Sequence, residues 1–186
     1  MRFTATSLAG AVLVDIERHE DERGFFARTW CAREFAAHGL CADLAQCSLS
    51  RSARAGTLRG MHFQRPPHAE AKLVRCLVGA VWDVVIDLRR DSPSYGRWQG
   101  FELAAADRRA LYVPPGFAHG HQALSDGAEL FYMISAFYEP AAAAGLRHDD
   151  PAFAMSWPLP VAVISERDRS WPDFQLARPA QEPPAR

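Results

Sequence analysis

Hydrophobic residues in this chain fall in short runs rather than at helical spacing. Gly10–Ile16 (GAVLVDI) and Leu73–Leu88 (LVRCLVGAVWDVVIDL) are β-rich, and Gly79 divides the second run as a hairpin or bulge would. Further strands are predicted at Phe101–Leu103, Ala110–Val113, Gln122–Leu124 and Glu129–Phe137. The best helix is Cys31–His38 (CAREFAAH), with Gly39 placed to end it in the left-handed region. Many strands, short turns and almost no helical periodicity predict an all-β fold, an antiparallel sandwich or barrel with a few short helices. From Trp157 onward the chain is Pro-rich and aromatic, and RPAQEPPAR reads as a disordered tail. The expected organisation is a single domain over 1–177 and a tail over 178–186.

Composition narrows the class. The 186 residues carry 21 basic and 22 acidic side chains, a formal charge of −1. That balance lacks the broad cationic footprint of a non-specific nucleic-acid binder, yet leaves room for a few arginines around a small anion. No apolar run approaches the ~20 residues of a membrane span, and the N-terminal stretch reads as a strand rather than a signal peptide. Cys31, Cys41, Cys47 and Cys76 form no CxxC pair, so they are read as free thiols of a cytoplasmic protein. Lys72 is the only lysine among the 21 basic residues. Arginine cannot replace a compact ammonium, so this position invites a functional reading.

Three segments could carry chemistry. In Gly56–Gln64 (GTLRGMHFQ), strand alternation puts Gly60, His62 and Gln64 on one face and Met61 and Phe63 on the other. If Met61 and Phe63 pack between the sheets, His62 points into the opposite space, which in a barrel is the cavity. An ordinary hydrogen-bonded histidine is the alternative. Arg59 with Lys72 would make a cationic pocket for a phosphate or a developing oxyanion, whereas Lys72 and Arg75 could instead mark a solvated edge strand. In Tyr112–His121 (YVPPGFAHGH), the spacing of Pro114, Gly116 and His119 resembles the second motif of cupin barrels. His119 and His121 also have the HxH spacing of metal ligands. The region of His62 offers no matching HxH and no correctly spaced Glu beyond His68 and Glu70, which favours a metal-free site. Tyr132 by itself reads as core or rim, and Asp168 as an exposed turn residue unless the C-terminal segment folds back over the barrel mouth.

Seven collinear blocks together resemble the dTDP-4-dehydrorhamnose 3,5-epimerase family: DERGFF at 21–26, LRGMHFQ at 58–64, KLVR at 72–75, DVVIDLR at 83–89, SPSYG at 92–96, PGFAHG at 115–120 and DDP at 149–151. The resemblance implies a metal-free cupin-type jelly roll without cofactor, a homodimer sharing N-terminal strands, and a nucleotide-linked 4-keto-6-deoxyhexose as substrate, most readily a dTDP-sugar. It implies His62 as base, Tyr132 as acid, Asp168 as the carboxylate orienting His62, and Lys72 as stabiliser of the C4 oxyanion with His119 nearby. Arg23 and Arg59 would bind the pyrophosphate, and Phe26, Gln46 and Tyr138 would complete the substrate contacts. The chain departs from the usual pattern at Cys47-Ser48, Ala27-Arg28, His121, Met133 and the alanine run Ala141–Ala144. Retained acid–base residues with altered contacts suggest a different sugar or nucleotide, or inversion at one carbon. Two other classes stay open: a metal-dependent cupin dioxygenase or isomerase using His62, His119 and His121, and a non-catalytic sugar-nucleotide binding protein.

Overall fold

The computed structural model describes residues 1–176. Its strands are β1 (Arg2–Ala5), β2 (Val12–Asp15), β3 (Arg18–Asp21), β4 (Gly24–Ala27), β5 (Gln46–Ser52), β6 (Leu58–Gln64) and β7 (Lys72–Val78). They continue with β8 (Ala80–Asp87), β9 (Trp98–Ala104), β10 (Ala110–Val113), β11 (Phe117–Ala123), β12 (Ala128–Ile134) and β13 (Ala143–Gly145). The helices are α1 (Ala32–Ala37) and α2 (Glu166–Arg169). One sheet has the order β1-β2-β10-β7-β12-β5, a second the order β13-β6-β11-β8-β9, and β3 and β4 form a separate hairpin. All strand pairings in these sheets are antiparallel, which makes the fold an all-β, cupin-like one.

Alternation along the strands creates three apolar layers. Val74 and Cys76 of β7, Val81 and Val85 of β8, Leu111 and Val113 of β10 and Leu130 of β12 meet between the two sheets. Their neighbours on the opposite faces turn outward. Leu73, Ala110 and Tyr112 take the cover of α1, whose Phe35 is fully buried against them. Met61, Val84, Ile86 and Ala118 lie under the C-terminal segment, where Phe153 is packed and Phe174 adds to it. The expected packing of Met61 and Phe63 between the sheets is therefore corrected: both lie on the outer face of β6 under that segment, and His62 on the opposite face enters the space between the sheets. Burying a side chain of Phe35's size contributes about 1.5–3 kcal/mol, which keeps so short a helix on the sheet.

The expected elements at 31–38 and 73–88 are present. Gly39 adopts φ +69° and its N–H donates to Ala36 O at 3.0 Å, ending α1. Gly79 adopts φ +71° in the tight connection between β7 and β8. The edge-strand reading of Lys72 and Arg75 is corrected: β7 is paired on both sides, to β10 and β12. The strand expected at Gln122–Leu124 is the end of a longer one beginning at Phe117, because the Pro114–Gly116 turn redirects the chain earlier. The strand from Glu129 stops at Ile134 rather than Phe137. The expected tail at 178–186 lies outside the described residues.

Two local features place the site. His119 of β11 is opposite His62 of β6, and His121 is opposite Arg59, so β6 spends one residue more than β11 over this stretch. The bulge turns both Arg59 and His62 to the inner side, which strict alternation forbids. Gly60 makes it possible: its φ is +123°, and a Cβ there would lie 2.5 Å from Gly120 Cα. The C-terminal segment is then drawn back over β6. Leu58 N–H donates to Val163 O at 2.8 Å, Ala162 N–H to Gly56 O at 2.9 Å, and Phe174 N–H to the buried Asp150 at 2.8 Å.

Gly60→Ala is expected to lower stability by about 2–4 kcal/mol, combining left-handed strain with overpacking. Urea unfolding measures this. Loss of less than about 0.5 kcal/mol, the range of an inconsequential surface change, would show that the bulge does not need glycine.

Candidate active site

Between the two sheets the apolar core gives way at one end to a cavity of about 610 Å³. His62 and Arg59 enter it from β6, His119 and His121 from β11, Lys72 from β7, and Tyr132 from β12. His62 and Tyr132 therefore stand on different sheets and face one shared space. Ser48 and Ser50 of β5 line another side, and Ser165, Arg167 and Asp168 close over the mouth.

His62 Nε2 lies 2.6 Å from Asp168 Oδ1, and Gly60 N–H donates to Oδ2 at 3.2 Å. The carboxylate is nearly sealed (6% exposed) while the imidazole is 45% exposed, so the ring is held from behind and open in front. Burial alone would raise the Asp168 carboxyl. The hydrogen bond and charge of His62, with Gly60 N–H and Ser165, outweigh it and hold the group below the usual carboxylate range. With the carboxylate on Nε2, a neutral ring carries its proton there and leaves Nδ1 as the free base.

Tyr132 faces opposite conditions. Burial pushes its hydroxyl well above the ordinary phenol range, the Asp83 charge pushes the same way, and Arg59 opposes both. It is a protonated donor at neutral pH. His121 Nδ1 is 3.3 Å from the hydroxyl, and His119 meets the Tyr132 ring edge-on at 6.0 Å. Burial pushes His121 down to about 3, helped by the neighbouring His119, Arg59 and His62, so this ring is neutral. His119 Nε2 is spoken for by Asp83, 2.9 Å from each carboxylate oxygen. Lys72 Nζ sits 3.1 Å from Glu70 Oε1 and 3.4 Å from His62 O, at the cavity wall.

His62, Tyr132, Asp168, Lys72, Arg59 and His119 are thus brought together. Gln46 continues the face of Ser48 and Ser50, and its Oε1 accepts the N–H of Tyr138 at 3.1 Å outside the cavity lining. Arg23 and Phe26 are not brought to this cavity. They lie on the β3–β4 hairpin, where Arg23 is 84% exposed and paired with Asp21, and Phe26 is 73% exposed. His119 and His121 share a face as their spacing implied, but their ring nitrogens engage Asp83 and Tyr132. Among the described residues no group of three or more His, Cys, Asp or Glu is arranged to hold a metal ion. No helix among them is long and apolar enough to cross a membrane. Asp83 and Arg167 are not singled out by the sequence, and Glu70 enters there only as a carboxylate poorly spaced for a metal, not as the partner of Lys72. Asp83 had a faint signal, a lone charge breaking the apolar run of β8.

The arrangement sets an imidazole and a protonated phenol on different sheets around one cavity, with an ammonium at its wall, groups of the kind that move protons on a carbon next to a carbonyl. Known proteins resemble the chain along most of its length. Residues 5–175 match the family model described as dTDP-4-dehydrorhamnose 3,5-epimerase. The chain is 42% identical over 173 residues to the dTDP-4-dehydrorhamnose 3,5-epimerase of Methanothermobacter thermautotrophicus, covering 91% of this chain and 92% of that one. It is also 42% identical over 170 residues to the dTDP-4-dehydrorhamnose 3-epimerase of Streptomyces niveus, covering 91% and 82%. The crystal structure of the Bacillus anthracis dTDP-4-dehydrorhamnose 3,5-epimerase with TDP and PPi bound superposes with a TM-score of 0.88 at 35% identity, over 93% of this chain and 99% of that one.

The depressed Asp168 carboxyl has a stability consequence. A group bound more tightly as the anion in the folded state stabilises above its unfolded value near 3.8 and loses that contribution as pH falls through its lower folded value. Asp168→Asn should cost about 1–3 kcal/mol at pH 7, and the gap should close below pH 3.8. Urea unfolding from pH 7 to pH 2.5 reads it; a gap that widens in acid contradicts the assignment.

Proposed function

The chain belongs to the dTDP-4-dehydrorhamnose 3,5-epimerase family, and on that premise we propose that it is a metal-independent epimerase of a nucleotide-linked 4-keto-6-deoxyhexose, dTDP-linked, acting in deoxysugar biosynthesis. The observation that carries the reading is the placement of His62 and Tyr132 on opposing sheets around one cavity, with Lys72 at its wall.

The ketone at C4 acidifies the hydrogens on C3 and C5. Nδ1 of His62 takes one of them, and the C–H electron pair moves into an enolate whose charge rests on the C4 oxygen. The Lys72 ammonium meets that charge without needing to reorganise. Tyr132 then gives its hydroxyl proton to the same carbon from the other face; the enolate returns to the ketone and the carbon is inverted. Water restores the phenol proton and takes the proton from His62. Asp168 keeps the His62 ring oriented and its Nε2 protonated throughout. One group could not invert efficiently by itself, since it would tend to return the proton to its original face.

Arg59 supplies a fork-shaped cation for the diphosphate, and Arg167 at the mouth is placed to join it. Arg23 and Phe26 on their exposed hairpin, with Gln46 and Tyr138, form the outer contacts. We assign the first two to the cavity of a second copy in a homodimer. Leu49, Leu77 and Val78 on the six-stranded sheet are exposed apolar residues that such a contact would cover. A single catalytic domain over 1–177, working in the cytoplasm on a cytosolic sugar nucleotide, completes the reading.

In D₂O with dTDP-4-keto-6-deoxyglucose, the wild-type protein should place deuterium at one or both carbons flanking the ketone, read by NMR. His62→Ala should slow that exchange by at least about 100-fold, the scale of general base catalysis, with dTDP affinity unchanged. Exchange at the wild-type rate in this variant would remove His62 as the base. Tyr132→Phe should slow completed inversion more than exchange; an equal fall in both contradicts its role as the acid. Arg59→Ala should weaken dTDP binding by about tenfold or more, the value of a charge-assisted hydrogen bond, and unchanged affinity would relocate the phosphate site. EDTA should leave the rate unaltered; a loss restored by iron or zinc would overturn the metal-free mechanism.

A further inference from the structure

Burial and the nearby Asp83 charge make Tyr132 a reluctant acid, because giving up its proton leaves a phenolate in a poorly solvated cavity. A donor aimed at the phenolic oxygen would relieve that cost. The hydroxyl makes a hydrogen-bond contact with Nδ1 of His121, at 3.3 Å. His121 is 2% exposed, comes from the neighbouring face of β11, and has no place in the chemistry described above.

We propose that His121 is a positioning residue for Tyr132: its Nδ1–H donates to the phenolic oxygen, aims the hydroxyl hydrogen into the cavity, and stabilises the phenolate left after proton transfer. The inference rests on the epimerase reading and deepens it. The tautomer follows from the hydrogen bookkeeping of the pair. Were Nδ1 unprotonated, the Tyr132 O–H would be spent on it and would not point at a ligand. With Nδ1 protonated, the oxygen accepts and its own hydrogen is free. In the transfer, the Tyr132 O–H bond breaks, its electron pair stays on oxygen, and the proton forms the new C–H bond on the enolate carbon. The phenolate then accepts the His121 Nδ1–H until water returns a proton. His121 remains neutral throughout, because its burial among His119, Arg59 and His62 disfavours the imidazolium. A fixed neutral donor holds the phenolic oxygen without becoming a second proton source for the enolate, as an imidazolium would.

Three variants test the assignment, since asparagine places an amide near the position of histidine Nδ1 and glutamine near that of Nε2. Exchange and inversion are followed together by NMR in D₂O with dTDP-4-keto-6-deoxyglucose. His121→Phe should leave exchange within about threefold of wild type and slow inversion by about tenfold or more, the value of one hydrogen bond to a charged group. His121→Asn should restore inversion to within about threefold of wild type, whereas His121→Gln should not, because only the δ position reaches the phenol. Wild-type inversion in His121→Phe, a parallel fall of exchange and inversion, or equal rescue by Asn and Gln would each overturn the proposal. If the wild-type protein itself exchanges no ring hydrogen, the epimerase reading fails instead, and that outcome is seen before any variant is compared.

Discussion

The contact between His62 and Asp168 joins residues 106 positions apart and decides the geometry of everything around it. A carboxylate can be buried only if its oxygens are satisfied, and here one takes the imidazole and the other the Gly60 N–H. Both partners come from β6, so the acid can be accommodated only when the C-terminal segment has returned across that strand. The segment is held on both sides of α2: by the backbone pairing of Gly56 and Leu58 with Ala162 and Val163 before it, and by Asp150 and Arg147 gripping Phe174 and Asp173 after it. The two anchors restrict the short helix between them and so keep a negative charge behind a ring that is open in front.

The same sheets that form the apolar core also form the cavity, and the change occurs along single strands. On β11, Phe117 and Ala123 face the core while His119 and His121, between them on the same side, face the cavity. On β12, Leu130 belongs to the core and Tyr132 to both. Burying imidazoles and a phenol here costs more than apolar packing would, and the cost is reduced by pairing: His119 with Asp83, Tyr132 with His121, Lys72 with Glu70. The result is a paired set of donors and acceptors around the cavity, with the His62 imidazole on one wall and a protonated phenol on the other.

Strand alternation made much of this legible from sequence. The faces of Met61 and Phe63 against His62, the hairpin at Gly79 and the turn before His119 all follow from local rules that the fold obeys. What was not legible depended on contacts between distant segments. Arg59 reaches the cavity through a one-residue bulge, which shows only when β6 is laid against β11. Asp168 looks like a turn residue until the C-terminal segment is folded. β13, with the sequence AAG, has no propensity of its own and exists because β6 offers it an edge. Glu70 sits in the loop between β6 and β7, and only the folded loop shows that its carboxylate is paired with the ammonium of Lys72. Arg23 and Phe26 match their motif yet stand on a projecting hairpin away from the cavity, since a motif conveys residue type and order but not place in the fold.

The central claim is that a substrate carbon lies between His62 and Tyr132. The most direct measurement is a crystal structure with a dTDP-linked 6-deoxyhexose reduced to the alcohol at C4, which can bind but cannot form the enolate. The account requires the hexose ring in the cavity with His62 Nδ1 and the Tyr132 hydroxyl each about 3.5 Å from a carbon next to C4, on opposite faces of the ring, and the C4 oxygen toward Lys72. A hexose bound with both residues on the same face, or seated outside the space they share, would contradict it.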